Sequence, residues 1–403
     1  MNDVTVTRSE GCAMNALGGV AITGYSLCNG LGRTTEEVIA SLAASRSGLG
    51  PPPFPLPFET VCGTVPGELA APPAEFSGYD SRQMRIALQT LAGIRAPLAE
   101  ALRRWGADRF GIVLATSTGG IAVSEDAYAY YKKNGRLPVA YDYQRQHTFF
   151  AFAELLRTLI GANGPAYVVS TACSSSGKVL ATARRLIAAD QVDAVLVGGV
   201  DSLAHTTLCG FAGLSVLSSE PCKPFSLARR GMSIGEGGAM LLVEREGDAR
   251  VLLRGAGESS DAHHMSSPHP DGLGAQMAMQ AALDEAGLAA DAVDYINAHG
   301  TGTELNDAAE ARAIAAVVGD EVPVVSTKGF TGHMLGAAGA TEAIFAIVAL
   351  EQGWIPANLG AEPVDPALPI RVNRERADRR CRVAMSNSFG FGGSNVAVVL
   401  EAA

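Results

Sequence analysis

Short runs of β-branched and other apolar residues alternate along most of this chain with longer stretches rich in Ala and Leu. The runs predict strands at Ile112 to Thr116, Tyr167 to Ser170, Ala194 to Val197, Asp294 to Ile296 and Val322 to Ser326. From Ser176 to Ala189, Asp307 to Val318 and Ala337 to Gln352, apolar residues recur every three or four positions, which predicts helices with a buried face. Apolar strands separated by helices predict an α/β fold with buried, largely parallel strands.

A repeated signal refines this picture. Val-Val-Ser-Thr stands at Val168 to Thr171 and again at Val324 to Thr327, each time ahead of a predicted helix. Further on, Gly237-Gly238 leads into a strand ending at Glu244, and Gly392-Gly393 leads into one ending at Glu401. The spacing between the two tetrapeptides agrees within one residue with the spacing between the two strand ends, as a duplicated βα unit requires. The expected organisation is an extension at 1–17, a first half at 18–249 and a second half at 250–403. Residues 1–13, ahead of Met14, read either as a disordered extension or as an upstream start. No Pro/Ser-rich linker separates the halves, so they are expected to pack as one body.

Three features of composition narrow the function. A net charge of −10 excludes a broad basic face for nucleic acid. Seven scattered cysteines, odd in number and without ligand spacing, favour neither a disulfide framework nor a zinc site and suit a reducing, cytoplasmic setting. With no basic-then-apolar leader and no uncharged apolar run of about 18 residues, neither export nor a membrane span is expected.

Cys173 lies in YVVSTACSSSGKVLATARRLI, where a strand passes through a turn of small residues into a helix. Unpaired amides and the positive end of a helix stabilise a thiolate, and the same amides can hold an oxyanion. The other reading of a free cysteine, a small buried hydrophobe, is assigned to Cys28, Cys62, Cys209, Cys222 and Cys381. His299, in NAHGTGTELND, and His333, in STKGFTGHMLGAAGA, each follow the carboxyl end of a predicted strand, where α/β sheets place their sites. Lys328 and Glu342 read either as a buried pair or as a solvated one. NSFGFGGSN reads either as a plain hairpin or as one whose Phe391 amide is an oxyanion donor. Two basic groups, Lys132, Lys133 and Arg136, and Arg82 with Arg85, are either solvated faces or docking patches for an acidic partner. In DAHHMSSPHPDG, His263 and His264 are adjacent and point apart on a regular strand, so no metal site is assigned.

Taken together, TACSSS, NAHGTGT, STKGFTGHMLGAAGA and NSFGFGGSN, in this order, resemble the elongating β-ketoacyl-acyl-carrier-protein synthases of the thiolase superfamily. The resemblance runs from about Gly18 to the C-terminus. It implies a thiolase-like duplicated βαβαβαββ fold with two central sheets, layered α-β-α-β-α. Cys173 would take an acyl chain from an acyl carrier protein, and His299 and His333 would hold the malonyl thioester during decarboxylation. Lys328, paired with Glu342, would orient that site, the Cys173 and Phe391 amides would form the oxyanion hole, and Thr301 and Thr303 would bind the pantetheine arm. No cofactor of the chain's own is implied, because the phosphopantetheine belongs to the carrier. A homodimer is implied, with a heterodimer alongside a second synthase-like subunit as the alternative, in which this chain would be a non-catalytic chain-length partner. A degradative thiolase would need a second catalytic cysteine where this chain reads NSFGFGG. Two positions depart from the family pattern: Glu304 stands for the usual Pro, and Arg230 for the usual Asp. They suggest a specialised pathway such as polyketide or aryl polyene assembly. Phe149, Phe150 and Phe152 fall where the family shapes its acyl pocket and dimer contact.

Overall fold

The computed structural model describes residues 18–403, so the expected extension at 1–17 lies outside the described residues. The first half supplies strands β1 (Val20–Asn29), β2 (Phe110–Ala115), β3 (Ala166–Val169), β4 (Ala194–Asp201) and β5 (Gly237–Glu244). The second supplies β6 (Val251–Ser260), β7 (Tyr295–Asn297), β8 (Pro323–Val325), the short edge strand β9 (Arg371–Val372), β10 (Val383–Gly390) and β11 (Ser394–Ala402). The principal helices are α1 (Arg82–Trp105), α2 (Ile121–Asn134), α3 (Phe149–Ile160), α4 (Ser175–Ala188), α5 (Leu273–Ala286), α6 (Glu304–Val318) and α7 (Ala338–Gln352).

In space the strands run β9-β8-β7-β10-β11-β6-β1-β5-β4-β2-β3. Each half therefore places its strands in the order third, second, fourth, fifth, first, with β9 added at one edge. Pairing directions repeat as well. The third, second and fourth strands pair parallel, the fifth pairs antiparallel with the fourth, and the first pairs antiparallel with the fifth. The sheets are thus mixed rather than largely parallel. The apolar runs did not reveal this, because β4, β5, β10 and β11 are buried on both faces whatever their direction. The two sheets also run into one another, since Val20 to Ile22 pair antiparallel with Leu253 to Val251.

Helices α4 and α7 pack against each other and against strands of both halves, forming the middle layer of a five-layer α-β-α-β-α stack. α1 and α3 cover the first sheet from outside, and α5 and α6 cover the second. Position in the stack explains sequence character: every residue of α7 from Ala338 to Leu350 is buried, so it lacks a polar face. Among the described residues, Leu335–Gln352 is the one stretch long and apolar enough to cross a membrane, and 89% of it is buried within the fold. α4 and α7 cross so closely that a Cβ on Gly339 would stand 2.6 Å from the Gly177 amide nitrogen, while the Ala340 amide donates to Ser176 Oγ at 2.8 Å. Gly339→Val should push these helices apart and destabilise the fold by about 2 kcal/mol or more in chemical denaturation; an unchanged midpoint and slope would refute this packing.

Candidate active site

Cys173 follows the end of β3, two residues before α4 begins, and is only 6% exposed. The turn that delivers it holds Ala172 at φ 51°, a left-handed conformation costing roughly 1–2 kcal/mol for a residue with a Cβ. Cys173, which follows it, lines a cavity. The backbone amides of Phe391 and of Cys173 itself both point at the sulfur. Phe391 reaches it because β10 and β11 are joined by a tight turn through Phe391, Gly392 and Gly393, the two glycines at φ 85° and 76°.

The expected lowering of the Cys173 pKa is corrected here. Burial pushes the thiol up to about 11, with the Phe391 amide, Lys328 and its own amide pulling the other way. Desolvation prevails because the start of α4 is already engaged: the Ser175 amide bonds the Ala172 carbonyl, and Ser175 Oγ accepts from the Thr171 amide.

His299 and His333 come from loops after β7 and β8, and their rings meet edge to face with centroids 5.2 Å apart. The Cys173 sulfur and a nitrogen of each ring lie within 4.8 Å of one another. His333 Nδ1 accepts the Leu335 amide at 3.2 Å, which leaves the proton on Nε2, a buried atom without a protein partner. His299 Nδ1 faces the Lys328 ammonium at 3.4 Å, which likewise leaves the proton on Nε2. Burial and the nearby Lys328 charge hold both imidazoles well below their ordinary range, so both are neutral donors at neutral pH. Lys328 Nζ also donates to the His299 carbonyl and to Glu342 Oε1, the latter at 2.5 Å. The pair is buried at 1% and 4% side-chain exposure, which settles the choice left open by the sequence. Burial pushes Glu342 up to about 7 against the pull of Lys328. Two imidazole N–H groups and two amide N–H groups converge on one space, with the Lys328 ammonium behind His299, an arrangement that suits developing negative charge.

Buried carboxylates that the sequence reading passed over hold these loops in place. Glu310 accepts the His299 and Gly300 amides, both at 2.7 Å, and Asp307 accepts those of Phe225 and Gly302 at 2.8 and 3.1 Å. Both stand on α6 three residues apart, so the i, i+3 spacing just after NAHGTGT was the available signal. Asp201, at the end of β4, accepts the Ser117, Thr118 and Gly336 amides and the Thr116 and Thr118 hydroxyls, tying the two halves together beside His333.

A cavity of about 480 Å³ leads from Cys173, His299, His333 and Phe389 past Thr301, Thr303 and Phe391 to Arg230, Glu304 and Leu305. The Thr301 and Thr303 hydroxyls lie 2.9 Å apart. Lys132, Lys133 and Arg136 are exposed at the end of α2. Arg82 and Arg85, the second basic group, are partly exposed and each ion-paired. Arg82 bonds Glu236 at 2.5 Å, and Arg85 bonds Asp80 at 2.7 Å. Glu236 also accepts the Val65 and Leu203 amides. It anchors the turn in which Ser233 accepts the His333 amide, so Arg82 supports the site from behind. Of the three phenylalanines expected near the acyl chain, Phe152 is buried in the core of the first half, Phe149 lies against Gly119 and Phe150 is exposed; none lines this cavity.

The family models for the N-terminal and C-terminal domains of beta-ketoacyl synthase match residues 18–249 and 251–362. The chain belongs to the beta-ketoacyl synthase family. It is 32% identical to nodulation protein E of Rhizobium meliloti, covering 95% of this chain and 98% of that protein. It is 31% identical, at the same coverage, to 3-oxoacyl-[acyl-carrier-protein] synthase 2 of Coxiella burnetii. Among solved structures it is similar to the ketosynthase ApeO in complex with its chain length factor ApeC from Xenorhabdus doucetiae. That likeness has TM-score 0.89 and 35% identity, and covers 96% of this chain and 98% of that one. The ishigamide ketosynthase/chain length factor follows at TM-score 0.88 and 26% identity, over 96% and 99% of the two chains. This synthase is accordingly a condensing acyltransferase with the thiolase-like fold.

Because burial raises the thiol, alkylation of Cys173 in the free synthase should be slow at neutral pH and accelerate up to about pH 10, roughly tenfold per pH unit. The check is intact-mass kinetics with iodoacetamide against a Cys173→Ala control. A rate independent of pH between about 7 and 9 would show instead that the amides and Lys328 outweigh burial.

Proposed function

We propose that this synthase lengthens an acyl chain held on Cys173 by condensing it with a malonyl unit, both delivered on the phosphopantetheine arm of an acyl carrier protein. The observation that carries the reading is the convergence of two neutral imidazole N–H donors and two amide N–H donors on the space beside Cys173. In the first step Cys173 attacks the acyl thioester. The oxyanion rests on the Cys173 and Phe391 amides, and the carrier sulfur leaves with the proton that Cys173 loses. In the second step carbon dioxide departs from the malonyl thioester, and its bonding electrons move into the thioester carbonyl. His299 and His333 donate Nε2–H to the enolate oxygen so formed. The enolate carbon then attacks the acyl group on Cys173, the same amides hold the second oxyanion, and the Cys173 thiolate is released and reprotonated. Donors aimed at charge present only in transition states and intermediates are the efficient kind.

In this reading Thr301 and Thr303 bind the arm, Phe391 gates the malonyl unit, and Lys328 with Glu342 keeps His299 oriented. The cofactor chemistry stays on the carrier, and the six described cysteines, all free, suit a cytoplasmic setting. A second chain of the same fold is proposed to cover the open edge of β3 together with the exposed Val139 and Tyr143, on the segment leading to α3, and Phe150, at the start of α3. The similarity to a ketosynthase solved with its chain length factor makes a related subunit a natural occupant of that face, in a specialised pathway.

Mixing the protein with acyl-loaded carriers of several chain lengths should add one acyl mass to the chain, and none to Cys173→Ala. That mass should vanish on addition of malonyl carrier as a β-ketoacyl product appears. Folded protein that takes no acyl group from any carrier would support the chain-length-partner reading instead. Reversing Lys132, Lys133 and Arg136 to Glu should lower kcat/KM for carrier substrates roughly tenfold or more while leaving alkylation of Cys173 unchanged. An equal loss in both assays would remove docking from that surface.

A further inference from the structure

Four charged side chains line the cavity that leads to Cys173: Arg229, Arg230, Asp261 and Glu304. Two are committed to the fold. Arg229 is largely buried and donates to Asp365 and to the Ser226 carbonyl at 2.7 and 2.8 Å, and Asp261 accepts from Asn395 at 2.8 Å. Arg230 and Glu304 are exposed at the rim and form no ion pair with each other or with any other described residue. The position of Arg230 is nevertheless fixed. The Gly231 amide bonds the Gly302 carbonyl at 3.0 Å, and a Cβ on Gly302, at φ 79°, would stand 2.9 Å from the Gly231 carbonyl oxygen. This direct backbone contact sets the Arg230 backbone against the Thr301–Thr303 turn, and all three residues line the same cavity.

We infer that Arg230 is the phosphate-binding residue of this entrance, holding the phosphate at the outer end of a phosphopantetheine arm whose inner part lies along Thr301 and Thr303. The inference rests on the carrier-dependent reading above and deepens it by assigning one atom group of the substrate to one side chain. A guanidinium offers a planar fork of N–H donors matched to phosphate oxygens, and charge-assisted bonds of this kind are stronger than neutral ones. Glu304, the first residue of α6, repels the same anion and so confines it to the Arg230 side of the rim.

The test compares phosphopantetheine with pantetheine, which lacks the phosphate, as protectants of Cys173 against alkylation at about pH 9, where the thiol reacts. In the unaltered protein phosphopantetheine should protect at a concentration roughly tenfold or more below that of pantetheine. Arg230→Glu should abolish that advantage without changing protection by pantetheine, and Arg230→Lys should keep a good part of it. Equal protection by the two compounds in the unaltered protein would overturn the assignment, as would an advantage that survives Arg230→Glu. Acyl transfer from loaded carrier is measured in parallel. If it is absent while the phosphate advantage is present and depends on Arg230, the elongation reading falls and the phosphate site stands. If Arg230→Glu weakens transfer from the carrier but leaves the phosphopantetheine advantage intact, Arg230 reads the carrier's own acidic surface and the phosphate assignment is wrong.

Discussion

Lys328 carries its charge into a place that water does not reach, and three acceptors must meet it there: the Glu342 carboxylate, the His299 carbonyl and His299 Nδ1. Removing one partner of a buried pair leaves the other uncompensated, at a cost of about 3–5 kcal/mol, so the pair constrains the fold around it. It also sets the chemistry. The ammonium occupies the Nδ1 side of His299 and directs its proton to Nε2, and its charge adds to burial, the larger cause, in disfavouring the imidazolium of both histidines. A site that must stabilise an enolate oxygen needs N–H donors that do not titrate in its working range, and burial together with one nearby cation supplies that condition for two rings.

Duplication explains how such a cluster was assembled. The two Val-Val-Ser-Thr segments run along the third strand of each half, β3 and β8, and the chain then enters the site from both sides of the stack. After β3 it presents a nucleophile, Cys173; after β8 it presents Lys328 and, five residues on, His333. The helices that follow, α4 and α7, form the shared middle layer, so the rigid contact at Gly177 and Gly339 fixes the distance between nucleophile and donors. Asp201 adds a polar clamp between the halves by bonding the loop after β2 to the Gly336 amide.

The sequence disclosed what is local. Strand and helix positions agree with the structure to within a few residues, because apolar runs and three- or four-residue spacing are imposed by burial in the stack. Cys173, His299, His333 and Lys328 stood out because each lies in a turn of small residues just beyond a strand. The rest depends on partners far away in the chain. Arg82 pairs with Glu236, far along the chain, and the roles of Asp201 and Glu310 lie in amides they accept rather than in motifs they occupy. The pKa of Cys173 likewise depends on distant parts of the chain. A helix start is visible in sequence, whereas the desolvation that outweighs it comes from loops of the other half closing over the thiol.

His299 and His333 stand as neutral imidazoles carrying their protons on Nε2 and facing the space beside Cys173. Histidine-selective 15N NMR across about pH 5.5 to 8, with assignment by single His→Gln variants, tests this protonation state directly, since neutral tautomers and the imidazolium have distinct nitrogen shifts. Two neutral Nε2–H resonance pairs that do not titrate over this range are expected. An imidazolium at either position near neutral pH, or a proton on Nδ1 of either ring, would contradict this protonation state.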